Sequence, residues 1–263
     1  MDANERLALR RKDAVRRRIL LAVQIAFGVL FAAGFIGLAV TMWGYHKGEQ
    51  SYADLRELVR VPAAESAAQP GGDAPEEAAP AIDFDALRAM YPDTIAWLMC
   101  PGTAIDYPVM HAADNDYYLR RLPSGEWNMG GSLFLDYRHS ADFTGAVNVI
   151  YGHNMNDGSM FGELEQYGSQ AYYMEHPAMT LETADKTYTL HAVYGFVISA
   201  EEWVQRDFVN TANRDALLEY ASQRSTFKSD YAPAQNAPLA ALVTCTSADD
   251  QNRYILVCAL ETA

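Results

Sequence analysis

The sequence predicts a mainly β domain, a barrel or a sandwich, carried on a single membrane-crossing helix. Three observations predict it: seven short apolar runs separated by turn clusters after residue 94, few helical patterns among them, and one uncharged stretch of 25 residues near the N-terminus.

The N-terminal stretch comes first in the chain. Residues 1–18 hold seven basic and three acidic side chains, and residues 19–43 hold no charge at all. As a helix, Ile19 to Trp43 would rise about 37 Å, enough to cross a hydrocarbon core of about 30 Å with some tilt. The basic tail should remain cytoplasmic, which exports everything after residue 43 and sets Trp43 and Tyr45 at the outer interface. A cleaved signal peptide is the alternative, but its apolar region would be only about 7 to 15 residues long.

Residues 44–61 carry a weak helical stripe of Tyr52, Leu55 and Leu58 or Val59, expected as a juxtamembrane helix. Pro62 to Ala81 has four prolines, two glycines and no aromatic or branched aliphatic residue, the composition of a flexible spacer. The remaining 182 residues, 82–263, suit one domain.

Within that domain Asp83 should cap a helix reaching Tyr91, with Phe84, Leu87 and Met90 or Tyr91 on one face. The extended runs are Ile95–Met99, Ile105–Val109, Ser132–Leu135, Ala146–Tyr151, Thr187–Ile198, Leu239–Thr244 and Tyr254–Leu260. The last is apolar at both alternating sets of positions, as a strand covered on two sides would be. One helix, Asn213–Gln223, interrupts the series, with Leu217, Tyr220 and Ala221 at helical spacing.

Composition excludes several functions. Half of the residues are apolar, so the chain is not disordered as a whole, and three cysteines are too few for a disulfide scaffold. Neither C-x-x-C nor H-E-x-x-H occurs, and a net charge of −14 opposes general phosphate attraction, hence no nucleic-acid partner is expected. The acidic run Asp114-Asn115-Asp116 lacks an EF-hand pattern and reads as loop polarity.

Three residue types could carry chemistry. Cys245 sits where an apolar strand meets the polar loop Thr246–Asn252, whereas Cys100 and Cys258 lie in surroundings typical of a buried thiol. A disulfide between those two is compatible with an extracellular setting, and sequence does not place them within bridging distance. Among six histidines, His153 stands out at the end of an apolar run, just before the polar turn 154–159. Arg253 opens the strand after Cys245. Fully extended, the eight residue steps from one to the other would span about 26 Å, but a turn in 247–252 would fold the second strand back beside the first. Such a trio is chemically useful. An isolated thiol is about 3% thiolate at pH 7 and an isolated imidazole about 25% protonated, so uncoupled they are charged together about 1% of the time. A neighbouring guanidinium favours thiolate and can donate to an oxyanion, while an imidazole serves as acid and base.

A series of motifs runs through the domain in order: Ala96-Trp97-Leu98 with Pro101-Gly102-Thr103, Ile105-Asp106-Tyr107-Pro108-Val109, Asp114-Asn115-Asp116-Tyr117-Tyr118-Leu119, Gly131-Ser132-Leu133-Phe134-Leu135-Asp136, Tyr151-Gly152-His153-Asn154-Met155 through Met160-Phe161-Gly162, and Thr244-Cys245 with Arg253 eight residues on. Together they resemble the sortases, class B in particular, from Phe84 to Leu260. The resemblance implies an eight-stranded sortase-type β-barrel with N-terminal helices and a helix in the insertion before the penultimate strand. It implies a cysteine transpeptidase of the Gram-positive envelope that cleaves secreted proteins after the threonine of a C-terminal, NPxT-like sorting motif. The acyl group would pass through a thioester to an amine of peptidoglycan or a pilin lysine. Cys245, His153 and Arg253 match the catalytic positions, and Asn115, Leu119, Tyr151 and Thr244 match positions lining the substrate groove. No cofactor or metal is implied. Val243 departs from the serine frequent two residues before the cysteine, and Thr246 from an acidic or aromatic neighbour. Two other readings keep the same residues: an endopeptidase with water as acceptor, and a non-catalytic module that binds envelope peptides.

Overall fold

A computed structural model describes residues 3–61, 81–245 and 251–263. The expected spacer, 62–81, lies outside the described residues as far as 80, its last residue Ala81 belonging to a strand; most of the loop after Cys245, at 246–250, also lies outside them, and Cys245 is placed by its backbone. The chain divides into two units, Met1–Lys47 and Gly48–Ala263.

The first unit belongs to a single α-helix, Ala3–Val59, that also enters the second. Its part Arg16–Val59 is long and apolar enough to cross a membrane, with a mean hydropathy of 2.5 over its most apolar window. Its large apolar side chains between Ile19 and Trp43 are exposed.

In the second unit the same helix is amphipathic. Gly48, Tyr52, Leu55 and Val59 recur at helical spacing and are all buried. Val59 completes this stripe, while Leu58, the other candidate, is 60% exposed. Leu55 and Val59 pack with Phe84, Leu87 and Trp97. Asp106 fixes the contact: Arg56 Nε donates to its carbonyl at 2.9 Å, Arg60 pairs with its carboxylate, and Trp97 Nε1 donates to the other carboxylate oxygen at 2.8 Å. The helix hands over to a short antiparallel pair, β1 (Arg60–Val61) with β2 (Ala81–Ile82). Asp83 then caps the helix Phe84–Met90, accepting from Ala86 N at 2.9 Å, with Phe84 and Leu87 inward and Met90 exposed.

Eight strands close the barrel: β3 (Thr94–Met99), β4 (Asp106–Met110), β5 (Leu133–Leu135), β6 (Val147–Tyr151), β7 (Ala178–Thr183), β8 (Thr187–Ser199), β9 (Leu239–Cys245) and β10 (Asn252–Thr262). Their order around the barrel is β10-β8-β7-β3-β4-β5-β6-β9. Closure leaves no unpaired edge. The pairs β4/β5 and β6/β9 are parallel, and the remaining pairs within the barrel are antiparallel. All seven expected runs are strands. The eighth, β7, went unread because only Met179 and Leu181 of its six residues are buried.

Between β8 and β9, residues 200–238 form an insertion holding the helices Ala200–Gln205 and Arg214–Ser222. Trp203, Phe208, Leu217, Tyr220 and Ala221 from it are buried against Val147, Val149, Ala241, Val243, Ile255 and Val257 of β6, β9 and β10. Burying a large apolar side chain contributes about 1.5–3 kcal/mol, so several together make the insertion an integral wall of the molecule. These two-faced strands read as continuous apolar runs for that reason.

Candidate active site

The covered face of β6, β9 and β10 ends in the site. β9 and β10 pair so that Cys245 and Arg253 are Cα partners on one rung of the antiparallel ladder, which is what the expected fold-back requires. β6 and β9 run parallel in a register of Val147 with Leu239 through Tyr151 with Val243. That offset of 92 residues also separates His153 from Cys245. Gly152 N still donates to Val243 O at 3.1 Å, carrying the alignment one residue past β6. Three residues distant in sequence therefore reach one end of three adjacent strands.

His153 is held by its neighbours. A Cβ on Gly152 would stand 2.4 Å from Leu133 Cδ2 and 2.6 Å from the Phe161 ring, so only glycine fits where the chain leaves β6. The His153 carbonyl accepts from Phe161 N at 2.9 Å. Its Nε2 lies 2.7 Å from the Leu119 carbonyl oxygen, which can only accept. The neutral ring therefore carries its proton on Nε2 and presents Nδ1 as the basic nitrogen. Burial pushes the His153 pKa below its ordinary value, and the Leu119 hydrogen bond opposes that shift.

A cavity of about 220 Å³ opens here, lined by Asn115, Leu119, Phe134, Tyr151, Gly152, His153, Val243, Thr244 and Arg253. Its polar wall is braced from behind by Asp136, whose side chain is fully buried. Asp136 accepts from Asn115 Nδ2 at 2.9 Å, from Tyr151 Oη at 3.2 Å, and from Arg138 Nε and Nη2, each at 2.9 Å. Burial would raise the carboxyl, but the Arg138 and Asn115 hydrogen bonds outweigh it and hold its pKa at about 2. Asn115 Oδ1 meanwhile accepts from Tyr137 N at 3.0 Å, so both ends of this amide are committed. Thr244 differs: its hydroxyl is buried and has no hydrogen-bond partner among the described residues.

The Sortase domain family model matches residues 98–261. The sortase B of Listeria monocytogenes is 30% identical over 172 residues, covering 65% of this chain and 70% of its own. The chain belongs to the sortase family. Its relatives and structural neighbours are sortase B proteins, which makes it a class B sortase and hence a cysteine transpeptidase. A Bacillus anthracis sortase B structure in complex with AAEK1 superposes with a TM-score of 0.69 at 24% identity, over 84% of this chain and all of the other. A sortase B complexed with triglycine superposes with a TM-score of 0.62, also at 24% identity, covering 68% of this chain and 86% of that one.

Every groove residue expected from the sequence, Asn115, Leu119, Tyr151 and Thr244, lines the cavity of this sortase together with His153 and Arg253. Phe134, Gly152 and Val243 were not anticipated, nor was Asp136 behind them. The Gly131–Asp136 motif contained two of these, but nothing local in it marks Asp136 as wholly buried. Cys100 and Cys258 are free and buried, and burial pushes both thiols up. The acidic loop has its own geometry: Asp114 Oδ1 accepts from the backbone of Asp116 and Tyr117. No group of three or more metal-ligating side chains occurs among the described residues.

Proposed function

We propose that this sortase cleaves secreted proteins after the threonine of a C-terminal, NPxT-like motif and transfers the acyl group to an amine of peptidoglycan or a pilin lysine. The observation that carries this reading is the shared strand end, with Cys245 and Arg253 on one rung and His153 at the same offset across the parallel pair. The thiolate of Cys245 adds to the threonine carbonyl carbon, and Arg253 donates to the oxyanion that forms. The C–N bond breaks as imidazolium gives its proton to the leaving amine, leaving a thioester on sulfur. An acceptor amine then adds to the thioester and loses a proton to His153, and the C–S bond breaks to restore thiolate. Asn115, Leu119, Tyr151 and Thr244 hold the peptide. An amine acceptor is in keeping with the sortase B complexed with triglycine.

The domain plan we propose is a cytoplasmic tail at 1–18, a single span at 19–43, a juxtamembrane helix and linker at 44–81 and an extracellular catalytic domain at 82–263. The N-terminus stays inside, as the basic tail demands.

The test uses the full chain in nanodiscs with fluorogenic NPxT-like and LPxT-like peptides, with and without triglycine, followed by mass spectrometry. An acyl adduct on Cys245 that ends at threonine, is consumed by triglycine and is lost in Cys245→Ala is the expected result. Hydrolysis indifferent to any amine would replace the transpeptidase step with an endopeptidase. Binding of peptide with neither adduct nor cleavage would favour a groove that only binds.

A further inference from the structure

We infer that Tyr52, on the continuation of the N-terminal apolar helix, is a positioning residue for His153. This rests on the reading of His153 as the acid and base. The link runs through the segment 118–132, which supplies the Leu119 carbonyl that fixes the imidazole.

The helix grips that segment at two successive turns. At Gly48 a Cβ would lie 3.0 Å from Asn128 Nδ2, so the segment packs directly on the helix backbone. One turn later Tyr52 Oη donates to the Gly131 carbonyl at 2.6 Å and sits 3.0 Å from Ser132 Oγ. Ser132 Oγ donates its own proton to Arg121 O at 2.8 Å, and Ser132 N donates to Tyr118 O at 3.1 Å. The Tyr52 ring is fixed edge-on against Tyr107, centroids 5.0 Å apart.

Gly131 is the point of transmission. Its φ is +57°, and a Cβ there would stand 2.4 Å from the Leu119 carbonyl oxygen and 2.7 Å from that of Tyr118. The Gly131 backbone thus presses on the carbonyl group to which His153 Nε2 is bonded at 2.7 Å. A buried hydroxyl on the helix ties down Gly131, Gly131 backs Leu119, and Leu119 sets which imidazole nitrogen is basic. Packing alone would be served by phenylalanine at position 52; the hydroxyl is what reaches the Gly131 carbonyl.

The test is Tyr52→Phe in the full chain in nanodiscs, labelled with nitrogen-15 histidine and followed by both NMR and peptide cleavage. The His153 resonances of the native chain should report a ring protonated on Nε2. In Tyr52→Phe the two tautomers should mix, the His153 midpoint should fall further as its carbonyl partner loosens, and kcat should drop about fivefold or more with KM within twofold. Gly131→Ala, which displaces the Leu119 carbonyl from the other side, should mix the tautomers in the same way. Arg60→Gln, which weakens the same helix contact without touching segment 118–132, is the control. The inference is overturned if the His153 tautomer and midpoint stay native in Tyr52→Phe, or if Arg60→Gln shifts them equally. Should Tyr52→Phe fail to fold, native His153 signals in Gly131→Ala would overturn it as well. Failure of the acid and base reading itself would be seen separately, as cleavage surviving in His153→Gln.

Discussion

Asp136 and Arg138, two residues apart, form a two-pronged pair in which both carboxylate oxygens accept from one guanidinium at 2.9 Å. The carboxyl is fully buried and the guanidinium is 45% exposed, so the charge is shielded on one side and hydrated on the other. A folded pKa of about 2 against 3.8 unperturbed means that the pair stabilises the fold above pH 3.8 and that this contribution disappears as the pH falls towards 2. Its size is about 2 kcal/mol. Denaturant unfolding from pH 5 to 2 should show that loss in the native chain and lack it in Asp136→Asn. Equal slopes in both proteins would remove Asp136 from the account.

Gly152→Ala places a methyl group against Leu133 and Phe161. Overpacking of this kind costs about 1–3 kcal/mol. Thermal unfolding should fall by several degrees, and cleavage should fall more than the folded fraction, because the same step sets where His153 stands. An alanine variant with native melting and native rate would show that the strand end tolerates a side chain there.

Thr244 has a buried hydroxyl without a partner among the described residues. Thr244→Val keeps the shape and should leave stability unchanged or raise it by about 1 kcal/mol, since an unsatisfied polar atom is removed. If the hydroxyl meets the peptide, kcat/KM should fall about tenfold, or about 1.4 kcal/mol. A native kcat/KM would mean that this hydroxyl does not touch the bound peptide.

His153 should titrate below its ordinary value of about 6.5 once the thiolate is removed, because burial disfavours imidazolium. The folded chain then holds the ring neutral where the unfolded chain would protonate it, so His153 subtracts stability as the pH falls below about 6.5. NMR titration of the full chain carrying Cys245→Ala should give that low midpoint, and restoring Cys245 should raise it through ion pairing. A midpoint at or above 6.5 without the thiol would contradict the burial argument.

Much of this could be read from residues. Apolar runs of β-branched and aromatic side chains located seven strands, and the two-faced run Tyr254–Leu260 belongs to β10, whose residues 254–260 are all buried. Asp83 announced its helix, whose cap hydrogen bond is present. The helices Gln170–Glu175 and Ala200–Gln205 were missed because six residues are too few to display a period. The choice between Leu58 and Val59 needed the barrel, since both fit a helical stripe and only packing separates them. The catalytic candidates were legible as types at strand ends, but the common rung and common offset are properties of pairing. The brace behind the cavity was the least visible part. Asp136 is acidic, flanked by Leu135 and Tyr137, and its burial follows from what Asn115, Arg138 and Tyr151 do in three dimensions.

β1 and β2 carry one more consequence. Arg60 pairs with Ile82 and Val61 with Ala81, so the chain departs from the helix and returns at the same place. Residues 62–80 are thus bracketed by a cross-strand pair, Val61 with Ala81. Lengthening or shortening them changes a loop-closure entropy that varies only slowly with length. The helical residues from Gly48 onward already belong to the barrel's own unit, ahead of that pair. Changes of length between Val61 and Ala81 should therefore cost that unit little stability.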